Sequence, residues 1–245
     1  MFINNWPESV DDYSDCFLVG GDGTFNYFLN RYRCFNVPVT LFNGGSGNDF
    51  FAHISGKKSF DGCFEAGLND ETKYVDLGIC NNRLFINGAG IGFDGQVVYS
   101  MRSGNKIFKG KLSYFFSVLK ELIRYSGVTL EVKTKDESVE GNFFMISIAN
   151  GSQYGGGFKV SPESVVNDHL LNLVRIESIS IGKRLLYLPY MLMGKHLKLS
   201  FVKAGNVKSI TISSSVNLNA HLDGELIQGH RFMISVYPEQ LMMKY

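Results

Sequence analysis

Cys16-Phe17-Leu18-Val19-Gly20-Gly21-Asp22-Gly23-Thr24 is the stretch that decides how this chain is read. Its first four residues are apolar and stop at glycine, as a buried parallel strand does. After it, Phe25, Phe28, Leu29 and Tyr32 recur at helical spacing. The spacing predicts strand, tight turn, helix, with Thr24 as the helix N-cap. At such a turn, free backbone N–H groups and the positive helix end converge, and that point suits a phosphate. Glycine lets the backbone approach a ligand with no Cβ in the way. Asp22 repels phosphate unless a cation lies between them, so the loop points to Mg²⁺ together with a nucleotide.

A second unit of the same kind follows. Val37-Pro38-Val39-Thr40-Leu41-Phe42 reads as a strand and runs into Asn43-Gly44-Gly45-Ser46-Gly47-Asn48-Asp49-Phe50. Two consecutive strand-to-turn units form the carboxyl edge of an α/β sheet, where ligands bind. Ser46 offers a hydroxyl to phosphate, and Asn48 and Asp49 could reach sugar or metal. A helix is expected from Ser59 to Ala66, with Gly67 as its C-cap.

From Lys73 the texture changes to short alternating runs. Tyr74 to Gly78 and Arg83 to Asn87 read as a hairpin joined at Asn81-Asn82. Further strands are expected at Val128–Val132, Phe143–Ile148, Leu170–Ile176, Ser209–Ile212, Ser215–Leu222 and Phe232–Val236. The pattern is that of an antiparallel β-sandwich, with a domain boundary near residue 72. Two helical stretches interrupt it, Lys111 to Tyr125 and Lys183 to Lys195.

Net charge is +1 over 245 residues, which gives no global field to attract nucleic acid. The charge is unevenly placed: residues 1–76 carry 11 acids and 5 bases, residues 77–245 carry 12 acids and 19 bases. No acid lies between Glu177 and Asp223, against six bases. A basic second half could face anionic lipid or be a solvated surface. Cys16, Cys34, Cys63 and Cys80 have no metal-type spacing and read as reduced thiols of a cytoplasmic protein. No apolar stretch approaches the ~20 residues of a membrane span.

Gly90-Ile91-Gly92-Phe93-Asp94-Gly95 matches G-x-G-x-x-G, but no acid follows at the distance a dinucleotide fold needs. It is read instead as a turn that positions backbone near an interdomain cleft. Asp168, ahead of a strand, reads on spacing alone as a turn former. Asp223-Gly224-Glu225 reads either as a D-G hairpin or as a carboxylate base aimed at a hydroxyl. The histidines form no ligand spacing.

Taken in series, these motifs resemble the diacylglycerol kinase catalytic-domain family, bacterial lipid kinases related to sphingosine kinases. The series is Gly20 to Thr24, Gly45 to Phe50, Asp76-Leu77-Gly78, Gly90 to Asp94, Asn150-Gly151 with Gly155 to Gly157, Asn167-Asp168, and Asp223-Gly224-Glu225. The fold implied is α/β plus all-β. A truncated Rossmann-like nucleotide-binding domain spans residues 1–72, and a β-sandwich domain spans 73–245 and carries the metal and catalytic carboxylates. The resemblance implies ATP on Gly20, Gly21, Asp22, Gly23, Thr24 and Asn26, and on Ser46, Gly47, Asn48 and Asp49. It implies Mg²⁺ at Asp168 with the carbonyls of Val165 and Leu170. Glu225 would take the proton from a lipid hydroxyl, with Asp223 beside it, and Asp22 would serve the metal–phosphate network.

The implied partner is a lipid at a membrane surface, reached from the cytoplasmic side at the inner face. No nucleic acid and no transmembrane segment are expected, and a homodimer is carried as an expectation. Two departures stand out. His169 occupies the position after the metal Asp where the family usually has Gly. Only 19 residues precede Gly20, fewer than the β-α-β unit with which the family begins. That shortness motivates the alternative of a lipid- or partner-binding protein without turnover; an NAD kinase is the third reading.

Overall fold

The computed structural model describes residues 5–33, 35–56, 58–103 and 111–245. Strand β1 (Cys16–Gly20) leads to α1 (Asp22–Arg31), and β2 (Val39–Asn43) leads to α2 (Asp49–Ser55) and α3 (Phe60–Asn69). β1 and β2 pair in parallel, as the two strand-to-turn units require. β2 is buried along Val39–Phe42, but β1 is the sheet edge and leaves Phe17 and Val19 exposed. Ser59 caps α3 by accepting the Gly62 N–H at 3.1 Å. Gly67 is not its C-cap. It lies inside the helix, where a Cβ would stand 2.7 Å from the Phe17 ring. It lets α3 lie on the sheet, against Phe17 of β1 and Thr40 of β2.

Two further strands join this small sheet. β3 (Lys73–Val75) and the chain's last strand, β13 (Leu241–Met243), complete the order β1-β2-β13-β3. Both fall beyond residue 72, so the chain returns to the first sheet at its end. Their apolar side chains, Val75, Leu241 and Met243, enter the core formed by Phe25, Phe28 and Phe50.

The remaining strands form one nine-stranded, antiparallel sheet. They are β4 (Gly78–Cys80), β5 (Arg83–Phe85), β6 (Gly88–Gly92), β7 (Val128–Lys133), β8 (Ser138–Ala149), β9 (Leu171–Glu177), β10 (Val202–Val207), β11 (Ser209–Leu222) and β12 (Glu225–Val236). The order is β10-β9-β8-β6-β11-β12-β4-β5. β8 and β11 are long enough to be bridged twice, by β6 near one end and by β7 near the other. That double bridging folds the sheet over a core of Ile91, Leu130, Ile146, Ile212 and Phe232. The expected strands Ser209–Ile212 and Ser215–Leu222 are one strand interrupted by an irregularity between Ser213 and Leu218.

Helix α4 (Phe93–Ser103) follows β6 directly, so Gly90 to Gly95 is a strand-to-helix junction and not a cleft turn. A Cβ on Gly95 would stand 2.1 Å from the Asn219 carbonyl oxygen, so this glycine lets α4 lie against β11. Helices α5 (Lys111–Arg124) and α6 (Ile181–Leu192) match the two helical stretches read from the sequence. Cys16, Cys63 and Cys80 are free thiols, and Cys34 lies outside the described residues.

Candidate active site

The two glycine loops meet. A Cβ on Gly45 would stand 2.4 Å from the Gly21 Cα, and one on Gly21 would stand 2.9 Å from the Gly45 Cα. No side chain fits between them, so glycine at both positions is a condition of the contact. The Gly44 N–H donates to the Gly20 carbonyl at 2.9 Å and locks the pair.

α1 begins at Asp22 with Gly21 as its N-cap, so Thr24 is a first-turn residue and not the cap. A Cβ on Gly20 would meet the Thr24 side chain at 2.6 Å, which shows the side chain folded back beneath the strand end. No side chain caps α1. The amides of Asp22, Gly23 and Thr24 therefore have no protein acceptor among the described residues. In the second loop Ser46 and Gly47 are exposed, and Ser46 has no protein partner among the described residues. Two loop tips that touch each other thus each carry donors without a protein acceptor, the setting that suits a phosphate tail.

Four polar residues expected to touch nucleotide make hydrogen bonds within the protein. The Asp22 carboxylate accepts the N–H of Asp49 at 3.1 Å and of Phe50 at 3.2 Å, capping α2 from the other loop. It joins the loops through these two hydrogen bonds. Asn48, left-handed at φ 58°, accepts the Gly45 N–H at 3.0 Å and donates back to the Gly45 carbonyl. Asp49 accepts the Gly156 N–H at 2.8 Å, and Gln153 donates to it at 3.4 Å, so it anchors the Gly155–Gly157 loop. Asn26 is buried and donates to the Leu84 carbonyl at 3.2 Å and to the Asp223 carboxylate at 2.9 Å.

Asp223 and Gly224 have φ of 49° and 85°, the left-handed pair that a two-residue hairpin needs, and they join β11 to β12. The Asp223 carboxylate accepts from Asn26 and from the backbone N–H groups of Ile86, Asn87 and Gly88, each at 2.9 Å. A carboxylate offers about four lone-pair sites, and all are filled. Burial pushes this carboxyl above the ordinary range, opposed by those donated hydrogen bonds. Asp223 is therefore a positioning residue that leaves no lone pair for a substrate proton, against the expectation that it acts beside Glu225.

Glu225 is the first residue of β12 and is differently placed. A Cβ on Gly23 would stand 3.9 Å from its Oε1, so this carboxylate faces the first glycine loop across the gap. Its Oε2 accepts from the Arg102 guanidinium in the last turn of α4. Arg102 is a residue the sequence reading did not find, because nothing local marks it.

Asp168 lies farther along the chain, and the Leu170 N–H donates to its Oδ1 at 3.0 Å. That is the turn-forming geometry read from spacing. Among the described residues no three His, Cys, Asp or Glu side chains gather to hold a metal. The donor set that the resemblance implies is one remaining carboxylate oxygen with the carbonyls of Val165 and Leu170. It suits only an ion that keeps most of its waters and takes the rest of its ligands from substrate phosphates, which is how Mg²⁺ binds. His169 has φ 59°, the conformation glycine takes without strain. Its N–H and Nδ1 reach the fully buried Asp76 carboxylate at 2.7 and 3.2 Å, which hold the strained turn.

Asp76 belongs to a buried polar chain that the sequence did not reveal. Asn150 donates to the carbonyls of Asp76 and Ile86 at 2.7 and 2.8 Å, and the Asn150 N–H donates to Asn87. The Asn87 N–H in turn reaches Asp223. The metal-loop candidate and the D-G-E turn are thereby coupled through one rigid network.

Beneath α6 lies a cavity lined by Phe93, Phe144, Val160, Leu188, Met191 and Phe201 among others, with Asp94 and Tyr154 also in its wall. Tyr154 donates to the Asp94 carboxylate at 2.6 Å. Burial lifts the Asp94 carboxyl to about 6, offset in part by that hydrogen bond. His221 packs edge-on to Tyr154, and burial drops its imidazole to about 4, so it is neutral at physiological pH. Its Nδ1 accepts the Gly224 N–H at 3.3 Å. His221 thus links the Tyr154 side of the cavity wall to the turn that carries Glu225.

Residues 8–80 match the family described as diacylglycerol kinase catalytic domain, and residues 88–244 match the YegS C-terminal NAD kinase beta sandwich-like domain. The chain belongs to the family of the YegS C-terminal NAD kinase beta sandwich-like domain, joined here to a diacylglycerol kinase catalytic domain match. A diacylglycerol kinase of Staphylococcus haemolyticus is similar at 27% identity over 221 residues, covering 87% of this chain and 66% of that protein. A solved diacylglycerol kinase from Bacillus anthracis is similar in fold, with TM-score 0.72 and 18% identity, over 95% of this chain and 76% of the other. An NAD kinase from Archaeoglobus fulgidus in complex with ATP shares the fold at TM-score 0.57 and 14% identity, over 99% of this chain and 82% of that one. Among the described residues of this family member, no helix is long and apolar enough to cross a membrane.

Proposed function

We propose that the chain is an ATP- and Mg²⁺-dependent lipid kinase that transfers the γ-phosphoryl group to a lipid hydroxyl. The observation that carries this reading is the position of Glu225. Its carboxylate faces the first glycine loop, and the turn that bears it is linked through His221 to Tyr154 in the wall of an apolar cavity. The cavity is about 60 Å³ as it stands and would have to widen to admit an aliphatic tail; a phosphate donor on the loops and a tail there would present a hydroxyl between them. A nearly all-apolar lining suits an acyl chain and offers a dinucleotide few partners.

In this scheme the amides of Asp22, Gly23 and Thr24, with the Ser46 loop, orient the phosphate tail. Glu225 accepts the hydroxyl proton as the lipid oxygen bonds to the γ-phosphorus. The bond from that phosphorus to the ADP oxygen breaks, and the negative charge leaves on ADP. Asp223, Asn26 and Arg102 hold the Glu225 turn in place. When bound, Mg²⁺ would supply charge neutralisation, with Asp168 and the carbonyls of Val165 and Leu170 as its protein ligands. Positioning and charge neutralisation are most of what phosphoryl transfer demands.

The test is transfer of label from γ-labelled ATP to diacylglycerol, phosphatidylglycerol, a polyprenol and a long-chain base in mixed micelles, with NAD in parallel. Labelled phospholipid and unlabelled NAD are expected. Label on NAD alone would replace this reading with the NAD kinase, and label on neither would favour a binding protein without turnover.

A further inference from the structure

Helix α6 is apolar on both faces. Arg184, Tyr187, Leu188 and Met191 turn inward and line the cavity. On the opposite face Leu185, Leu186 and Leu192 are 44%, 63% and 43% exposed, and Met193 just beyond the helix is 51% exposed. A helix at a water interface normally turns charge outward, and contiguous apolar surface of this kind marks a contact site. Lys183, Lys195 and Lys198 are exposed at its rim, and no acid occurs between Glu177 and Asp223. The Arg184 guanidinium donates to the carbonyls of Leu122 and Tyr125 at the end of α5, which fixes the helix to the body.

We infer that the outer face of α6 is the surface by which this chain settles on an anionic bilayer, with its leucines in the interface and its lysines among the headgroups. The charge decides the occupant. A symmetric second copy would set Lys183, Lys195 and Lys198 against their own counterparts. A bilayer with anionic lipid supplies opposite charge to all three bases. The contrast with α3 sharpens the choice. Its exposed Phe60, Phe64 and Leu68 sit among Asp61, Glu65 and Asp70, which an anionic surface repels. The other face of α6 walls the cavity, so docking there would bring the cavity to the lipid phase, a consequence that rests on the lipid kinase reading above.

The experiment is co-flotation with vesicles of phosphatidylcholine alone and with about one-third phosphatidylglycerol, without ATP or diacylglycerol. The unaltered chain is expected on the anionic vesicles, with binding that falls as salt rises. The pair Leu186→Glu with Met193→Glu is expected to lower bound protein at least tenfold, with unchanged circular dichroism and melting temperature. Lys183→Glu with Lys195→Glu should remove the preference for phosphatidylglycerol. A folded Leu186→Glu/Met193→Glu chain that floats like the unaltered one overturns the proposal. So does an unaltered chain that ignores both vesicles, or a variant that only converts a dimer to a monomer in sedimentation. Because no substrate is present, the result stands apart from kinase activity; a failed kinase assay beside intact flotation would count against the catalytic reading alone.

Discussion

Glu225→Gln is expected to slow phosphoryl transfer to lipid by about 10²–10⁴-fold, the usual worth of a positioned general base. Mg-ATP affinity should stay within about twofold, because the loop amides and not this carboxylate would hold the phosphate tail. The amide cannot take the hydroxyl proton, yet it keeps the size of the side chain. The ion pair with Arg102 is lost, but both side chains are nearly half exposed. Such pairs are worth about 0–1 kcal/mol, so unfolding would not account for the loss. Steady-state kinetics with a lipid acceptor beside calorimetric titration of Mg-ATP would separate the two quantities. A variant that turns over at the original rate would remove Glu225 from the chemistry.

The second large effect is on stability. Asp223→Ala strips one of two acceptors from Asn26 and the acceptor from three backbone N–H groups at once. Buried donors left without acceptors cost about 1–3 kcal/mol each, less whatever relaxation recovers. A net loss of about 3 kcal/mol corresponds to a fall of about 6–12 °C in melting temperature for a chain of this size. Activity should fall with it, since the turn that aims Glu225 loses its anchor. Asp223→Asn should lie between, because its carbonyl oxygen still accepts while its NH₂ group confronts other donors. Calorimetric melting of the three proteins decides this. Melting of the alanine variant within a degree of the original would mean that the four hydrogen bonds do not hold the turn.

The two expectations differ in kind, and so does what the sequence shows of each residue. The glycine loops and the Asp223-Gly224 hairpin are legible because turn chemistry is local: a left-handed φ or a missing Cβ shows in neighbouring residue types. The parallel pairing of β1 and β2 follows from two strand-to-turn units in succession. What could not be read is which polar side chains face a ligand and which face the protein. Asn26 and Asp223 meet across 197 positions, and Asp22 reaches α2 across 27. No local pattern encodes either contact, so Asn26, Asn48, Asp49 and Asp22 were expected at the nucleotide and are found tying loops together.

The same reason hid two strands and a helix. β10, Val202-Lys203-Ala204-Gly205-Asn206-Val207, has little alternation and is ordered by pairing with β9. β13 is three residues long and exists through its partners β2 and β3. α4 begins inside a glycine motif that reads as a turn until Gly95 is seen against β11. His169 is the reverse case. A residue that departs from the family pattern keeps the left-handed backbone, and Asp76 compensates through contacts that only the fold supplies.

The central claim is that two touching glycine loops hold the phosphate tail of one ATP. Its most direct test is calorimetric titration of Mg-ATP into the unaltered chain and into Gly45→Ala, whose Cβ would fall 2.4 Å from the Gly21 Cα and force the loops apart. Binding by the unaltered chain at micromolar concentration, and affinity at least about tenfold weaker in a variant that still melts cooperatively, is the predicted result. Equal affinity in the two proteins, or no heat from the unaltered chain, would contradict it.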